Sequence, residues 1–173
     1  MQKAIIAGAI AIAVATIASF AAGGAKMKIT SSAFQEGSDI PSKFSRDGGN
    51  VNPPLRLEGT PTNARSLVLI VDDPDAPVGL FTHWLVWNID PKTTEIPERG
   101  TPKGAVQGTN DYPNLGYGGP KPPSGTHRYY FKIFALDQTL DLRSGAKRQE
   151  LDGAMSGHVI AQGELMGRYS HSK

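Results

Sequence analysis

Two stretches of this 173-residue chain concentrate side chains able to do chemistry. One is Asp73-Pro74-Asp75-Ala76-Pro77 with His83 shortly after it. The other is Gly116-Tyr117-Gly118-Gly119-Pro120-Lys121-Pro122-Pro123-Ser124-Gly125-Thr126-His127-Arg128-Tyr129. Two carboxylates, two imidazoles and a phenol are costly to bury without partners, so this grouping beside rigid turns reads as a polar pocket rather than as core. Asp73 and Asp75 stand two residues apart, and in extended backbone both carboxylates leave the same side. Pro74 and Pro77 hold Asp73 and Ala76 away from helical conformations, and either X-Pro bond is a candidate for the cis form. Two neighbouring carboxylates repel, which raises the pKa of one and lets it keep a proton near neutrality. His83, His127 and Tyr129 can donate to a phosphate or carboxylate, and residues 116–119 can add backbone N–H groups.

The same groups offer a second chemistry, in which the Asp and His residues hold a divalent metal that activates water for phosphoester hydrolysis. Close-spaced ligand pairs of the His-Glu-x-x-His kind are absent, as are a Gly-x-Ser-x-Gly elbow, a phosphate-binding Gly-Lys-Ser/Thr loop and a dinucleotide fingerprint. The chain has no cysteine, which removes disulfides, thiolate metal sites and thiol nucleophiles together. The set therefore reads as ligand recognition without a cofactor or metal, by a protein that is not an enzyme. Donors from His, Tyr and loop amides suit a phosphate, and the carboxylates suit an ammonium or hydroxyl. On this reading phosphate affinity rises from neutral toward mildly acid pH, as an Asp and the histidines take up protons.

Short apolar runs separated by Gly, Pro, Asn and Asp are the elements that must position these groups. Residues 66–72 contain Leu67-Val68-Leu69-Ile70-Val71, suited to a strand buried on both faces. Residues 84–89 form a second run, opened by His83. Residues 128–136 form a third, with Tyr129, Phe131, Ile133 and Ala135 on one face and Tyr130, Lys132 and Phe134 on the other. If these strands are neighbours, His83, His127 and Tyr129 converge on the Asp73-Asp75 turn. Residues 96–124 are too rich in Gly and Pro for helix or uninterrupted strand, yet Tyr112, Leu115 and Tyr117 anchor them as an ordered loop. Residues 144–158 are the helix candidate, with Leu151 and Met155 on one face. After it, Val159 to Tyr169 alternates like a closing strand. The expected architecture is mainly β, an antiparallel sandwich of two sheets with one or two peripheral helices. His158, His171, Arg128 and the two tryptophans take structural roles: helix end, tail, surface ion pair and core.

Residues 1–21 read as a secretory signal peptide, with Lys3 before an apolar stretch and small residues that place cleavage near Ala21 or Ala22. An uncleaved membrane anchor is the competing reading of this stretch. Removing it leaves roughly 150 residues, enough for one domain over residues 27–170. Lys3 is the only charged side chain removed, so the net charge of +2 falls to +1. Scattered Lys and Arg with so little net charge argue against nucleic acid. A cysteine-free exported chain points to a periplasmic or secreted protein with no stable membrane span after cleavage.

The Asp-Pro-Asp-Ala-Pro block, the His-Trp-Leu-Val-Trp-Asn-Ile run from His83 and the Gly-Tyr-Gly-Gly-Pro to His-Arg-Tyr block, in this order, resemble the phosphatidylethanolamine-binding protein family. The likeness is to its bacterial branch, named for similarity to Raf kinase inhibitor protein. That resemblance implies a β-sandwich with a small pocket for phosphate-like anions or phosphorylethanolamine head groups, lined by Asp73, Asp75, His83, His127 and Tyr129, with Gly119 and Pro120 in the adjoining loop. It also implies a small phosphate-containing or zwitterionic ligand, and a protein partner of the peptidase or kinase type that it does not identify. Bacterial relatives often carry Cys where Lys121 stands, so here a charge is added at the rim.

Overall fold

The computed structural model describes residues 25–170; the expected leader at residues 1–21 and His171 lie outside them. Among the described residues nine strands and one α-helix follow in chain order: β1 (Ala25–Lys26), β2 (Lys28–Thr30), β3 (Leu55–Glu58), β4 (Ser66–Asp73), β5 (Phe81–Ile89), β6 (Glu95–Ile96), β7 (Val106–Gln107), β8 (Thr126–Leu136), α1 (Arg148–Met155) and β9 (Val159–Ser170). A 3-10 turn spans Ser42–Phe44. The strands form a six-stranded sheet in the order β1-β9-β8-β4-β5-β7 and a three-stranded sheet in the order β2-β3-β6. All pairings are antiparallel except β1 with β9. The expected mainly β, two-sheet sandwich is the observed fold, and the three apolar runs are the adjacent strands β8, β4 and β5 at its centre.

Two apolar layers explain why β4 reads as a continuous hydrophobic run. Leu67, Leu69 and Val71 pack between the sheets with Ile29, Leu55, Leu57, Trp84, Val86, Phe131 and Ile133. Val68 and Ile70 point to the opposite face, where Leu85, Trp87, Phe134 and Leu136 meet Leu151 and Met155 of α1. Every residue of β4 is buried. In β8 the alternation persists only through its first half, because α1 covers the outer face at Phe134 and Leu136 but leaves Arg128 exposed and Tyr130 and Lys132 only partly covered.

The helix is shorter than the expected 144–158. Its anticipated first turn is drawn away by loop partners: Gly145 N–H donates to Gln107 O at 2.9 Å, and Thr109 N–H donates to Ala146 O at 3.1 Å. The helix begins only where the Glu150 carboxylate accepts the Lys147 N–H. It ends before Gly157, whose φ of 82° reverses the backbone.

Candidate functional site

The site forms where β4 ends and where β5 and β8 begin, on the face between the sheets. Strand alternation alone puts Asp73, His127 and Tyr129 on that face, in line with Val71, Phe131 and Ile133. His83 would point the other way, since Leu85 and Trp87 face α1. A β-bulge corrects this: Val71 pairs with Trp84 but Asp72 pairs with Thr82, which leaves His83 as the extra residue. Its ring is thereby turned against Tyr129, with centroids 5.1 Å apart in an edge-on contact.

The four groups are buried and linked. His127 donates from Nδ1 to Asp73 Oδ2 at 2.7 Å, and the other Asp73 oxygen accepts the Asp75 N–H at 2.8 Å. His83 Nδ1 lies 2.6 Å from Gly118 O, while Gly118 N–H donates back to His83 O at 2.9 Å. A carbonyl only accepts, so His83 carries its proton on Nδ1, and Nε2 is a bare acceptor while the ring is neutral. Burial favours that neutral state: it lowers the His83 pKa from its ordinary 6.5, against the opposing pull of Gly118 O and Asp73. Burial, reinforced by the Asp73 charge, raises the Tyr129 phenol, whose hydroxyl lies near that carboxylate but completes no hydrogen bond with a described group.

The structure therefore brings Asp73, His83, His127 and Tyr129 together, with Gly119 and Pro120 in the buried wall beside them. Asp75 stands outside this cluster. Its turn swings the carboxylate onto Arg128, which donates to it from the backbone N–H at 2.9 Å, Nε at 2.9 Å and Nη2 at 2.7 Å. The rise in pKa expected for one of the paired carboxylates does not fall on Asp75, which the Arg128 hydrogen bond lowers from 3.8 to about 2. Arg128 is thus the surface ion pair expected of it. No described peptide bond is cis, the X-Pro bonds at Pro74 and Pro77 included.

The glycine loop also differs from expectation. Gly116 N–H donates to Gly108 O, Gly118 N–H to His83 O, and Gly119 N–H to the Asn50 side chain at 2.8 Å. These amides build the wall and are committed before any ligand arrives. Lys121 does not bring a free charge to the rim either, since its Nζ lies 3.6 Å from Asp47 Oδ1.

Several surrounding residues had no place in the expected site, among them Tyr112, which the sequence offered only as an apolar anchor of the ordered loop. Tyr112 packs edge-on against both Phe81, at 4.7 Å, and His83, at 5.5 Å, and the Arg46 guanidinium lies 4.1 Å from the Tyr112 ring centre. Arg46 makes no ion pair with a described carboxylate, and its backbone N–H donates to Pro120 O. Buried Asn110 organises the loop by donating to Gly116 O and accepting from the Tyr112 and Asn114 amides. An Asn followed by Asp and Tyr within a glycine-rich loop was the one available signal for it. Among the described residues no three His, Cys, Asp or Glu are placed to hold a metal ion.

Fold and site together define a two-sheet β-sandwich with a buried Asp-His pair, a second imidazole and a phenol at one end of its central sheet. The chain belongs to the phosphatidylethanolamine-binding protein family, whose model matches residues 30–170. A UPF0098 protein of Pyrococcus abyssi is 53% identical over 157 residues, 85% of this chain and 87% of that protein. One from Pyrococcus horikoshii is 51% identical, over 85% of this chain and 80% of its own length. Among solved structures, a phosphatidylethanolamine-binding protein homologue of Chlamydia trachomatis superimposes with a TM-score of 0.81 at 43% identity, covering 85% of this chain and 99% of that one. E. coli YbcL, described as a member of the mammalian family, gives 0.80 at 30% identity, covering 84% and 99%. No helix among the described residues is long and apolar enough to cross a membrane.

Proposed function

We propose that this chain is a non-enzymatic binding protein whose pocket takes a small phosphate-bearing ligand, such as a phosphorylethanolamine-type head group. The observation that carries this reading is the Asp73-His127 pair at 2.7 Å, set beside the His83 ring and the unpartnered Tyr129 hydroxyl within a buried wall. Such a cluster costs free energy to maintain, and a polar ligand that completes its hydrogen bonds offsets that cost. The cluster holds no serine, threonine or cysteine, which supports recognition over catalysis through a nucleophile of those types. The family name supports the phosphate chemistry, as does the half-buried Arg46 guanidinium at the rim.

Export to the periplasm or beyond is part of the same proposal and rests on residues 1–21. Modulation of a protein partner of the peptidase or kinase type is included only as the family's habit. Titration with O-phosphorylethanolamine, followed through the histidine ring signals by NMR, tests the pocket. Saturable shifts of the His83 and His127 rings, abolished in His127→Ala, are expected; absence of saturable binding overturns the reading.

A further inference from the structure

The pocket's polar atoms are unevenly divided between donors and acceptors. Its loop amides at Gly116, Gly118 and Gly119 are already committed, and Pro120 has no N–H. Asp73 accepts one hydrogen bond on each oxygen and has further lone pairs but no proton to give. His83 spends its Nδ1 proton on Gly118 O, which leaves Nε2 as an acceptor. Tyr129 supplies one hydroxyl, sealed from solvent and adjacent to Asp73.

The surrounding charges do not reverse this balance. Facing the His83 ring are Phe81 and Tyr112 from the β5 side, Tyr129 from β8 and Asp73 from β4. His127 is turned onto Asp73, and Arg46 lies over Tyr112. Asp75 is held by Arg128, and Asp72 is held by Arg148 and Lys132 on the far face of the sheet. An anion without a proton entering here meets a carboxylate and a bare imidazole nitrogen, both of which it repels or leaves unsatisfied. An anion carrying one O–H satisfies one of them and keeps its negative oxygens for the Arg46 guanidinium and the Tyr129 hydroxyl, since His127 spends its Nδ1 proton on Asp73.

We infer that the pocket takes a phosphate monoester in its singly protonated form, the P–OH donating to Asp73 or to His83 Nε2, in preference to sulfate esters and phosphate diesters of the same charge. This inference rests on reading the site as a phosphate pocket, and it deepens that reading by naming the ester class and its protonation state. Burial disfavours protonation of the His83 ring and so favours the acceptor state of Nε2. The expected acid preference of binding then resides in the ligand, whose second proton leaves at about pH 6.

Methyl phosphate, methyl sulfate and dimethyl phosphate test this, because all are singly charged at about pH 5.5 and only methyl phosphate then carries an O–H. Their affinities for the intact protein are read by NMR titration. Methyl phosphate is expected to bind about tenfold or more tightly than either of the others, the worth of one charge-assisted hydrogen bond against an unmet acceptor. Its own affinity is expected to fall about twentyfold between pH 5.5 and 7.5 as the proton is lost. In Asp73→Asn the amide supplies a donor, so the gap between methyl phosphate and methyl sulfate narrows; His83→Asn narrows it independently by removing Nε2. Methyl sulfate or dimethyl phosphate binding as tightly as methyl phosphate at pH 5.5 overturns the inference while leaving the anion pocket intact. Failure of all three to bind overturns both.

Discussion

Asp72 and Asp73 are consecutive in the chain and serve opposite faces of the large sheet. Asp73 turns inward to His127, whereas Asp72, fully buried at 0% exposure, meets Lys132 and Arg148 beneath α1. Strand alternation accomplishes the separation, and the last residues of one strand thus supply both a pocket carboxylate and an anchor for the helix. Arg148 extends that anchor to Asp152 one helical turn later, at 2.8 Å.

The two carboxylates are therefore expected to respond differently to the same change. Asp72→Asn removes the charge that compensates two partly buried cations, at a cost of about 2–3 kcal/mol once their residual solvation is allowed for. Binding of inorganic phosphate should stay within about twofold of wild type, since the fold survives a loss of that size. Asp73→Asn should alter binding by far more. Urea denaturation and phosphate titration of both variants check this; a large binding defect in Asp72→Asn would contradict the face assignment.

Gly119 is where the loop at residues 42–50 leans against the pocket wall. A Cβ there would sit 2.3 Å from Phe44 O and 2.9 Å from Ser45 backbone atoms, so backbone must move. Gly119→Ala is expected to cost about 1–3 kcal/mol as overpacking, and to weaken phosphate binding by displacing Arg46 and the Gly119-Asn50 contact. Gly163→Ala is the control, with a Cβ 2.3 Å from Met27 O, remote from the site. It should lose comparable stability in thermal or urea denaturation, while its phosphate affinity stays that of wild type.

The central strands were legible because apolar runs such as Leu67 to Val71 admit few other fates once Gly and Pro bound them. The convergence of His127 and Tyr129 followed from period-two alternation alone. His83 did not follow: its facing depends on a single extra residue opposite Val71 and Asp72, and a bulge leaves no mark in the hydrophobic pattern. Asp75 was misjudged electrostatically because its governing charge, Arg128, lies 53 residues away in sequence and close only after β4 and β8 pair. The same distance hid Arg46, Asn50 and Tyr112, whose relation to the pocket is made by loops. The helix was overextended at its start because local propensity is blind to the hydrogen bonds that residues 145–146 make with residues 107–109.

Asp75 offers a direct test of that ion pair. Its folded-state pKa lies below the ordinary 3.8, at about 2, so the stability it contributes is present above 3.8 and is lost as pH falls from there toward 2. NMR titration of its carboxyl carbon should show a midpoint near 2. In Arg128→Gln the midpoint should return toward 3.8, because the hydrogen bond from Arg128 is the largest cause of the shift. A midpoint unchanged by that substitution would mean that another group holds the carboxylate.

His83 makes the opposite kind of demand on pH. Its ordinary pKa is 6.5, and burial lowers it in the folded chain, so below 6.5 the unfolded state gains a proton that the folded state does not. The stability it contributes is complete above 6.5 and is lost as pH falls, at a slope approaching about 1.4 kcal/mol per pH unit while the folded ring stays neutral. His83→Asn keeps a donor near the position of Nδ1 for Gly118 O and has no proton to take up. The variant should therefore be less stable than wild type at neutral pH, because the ring contacts with Phe81, Tyr112 and Tyr129 are gone, yet the difference should shrink as the solution is acidified. Denaturant midpoints measured from about pH 7.5 to pH 5 check the sign: curves that run parallel over that range would place the His83 proton in the folded state as readily as in the unfolded one, and would remove the neutral acceptor from the pocket.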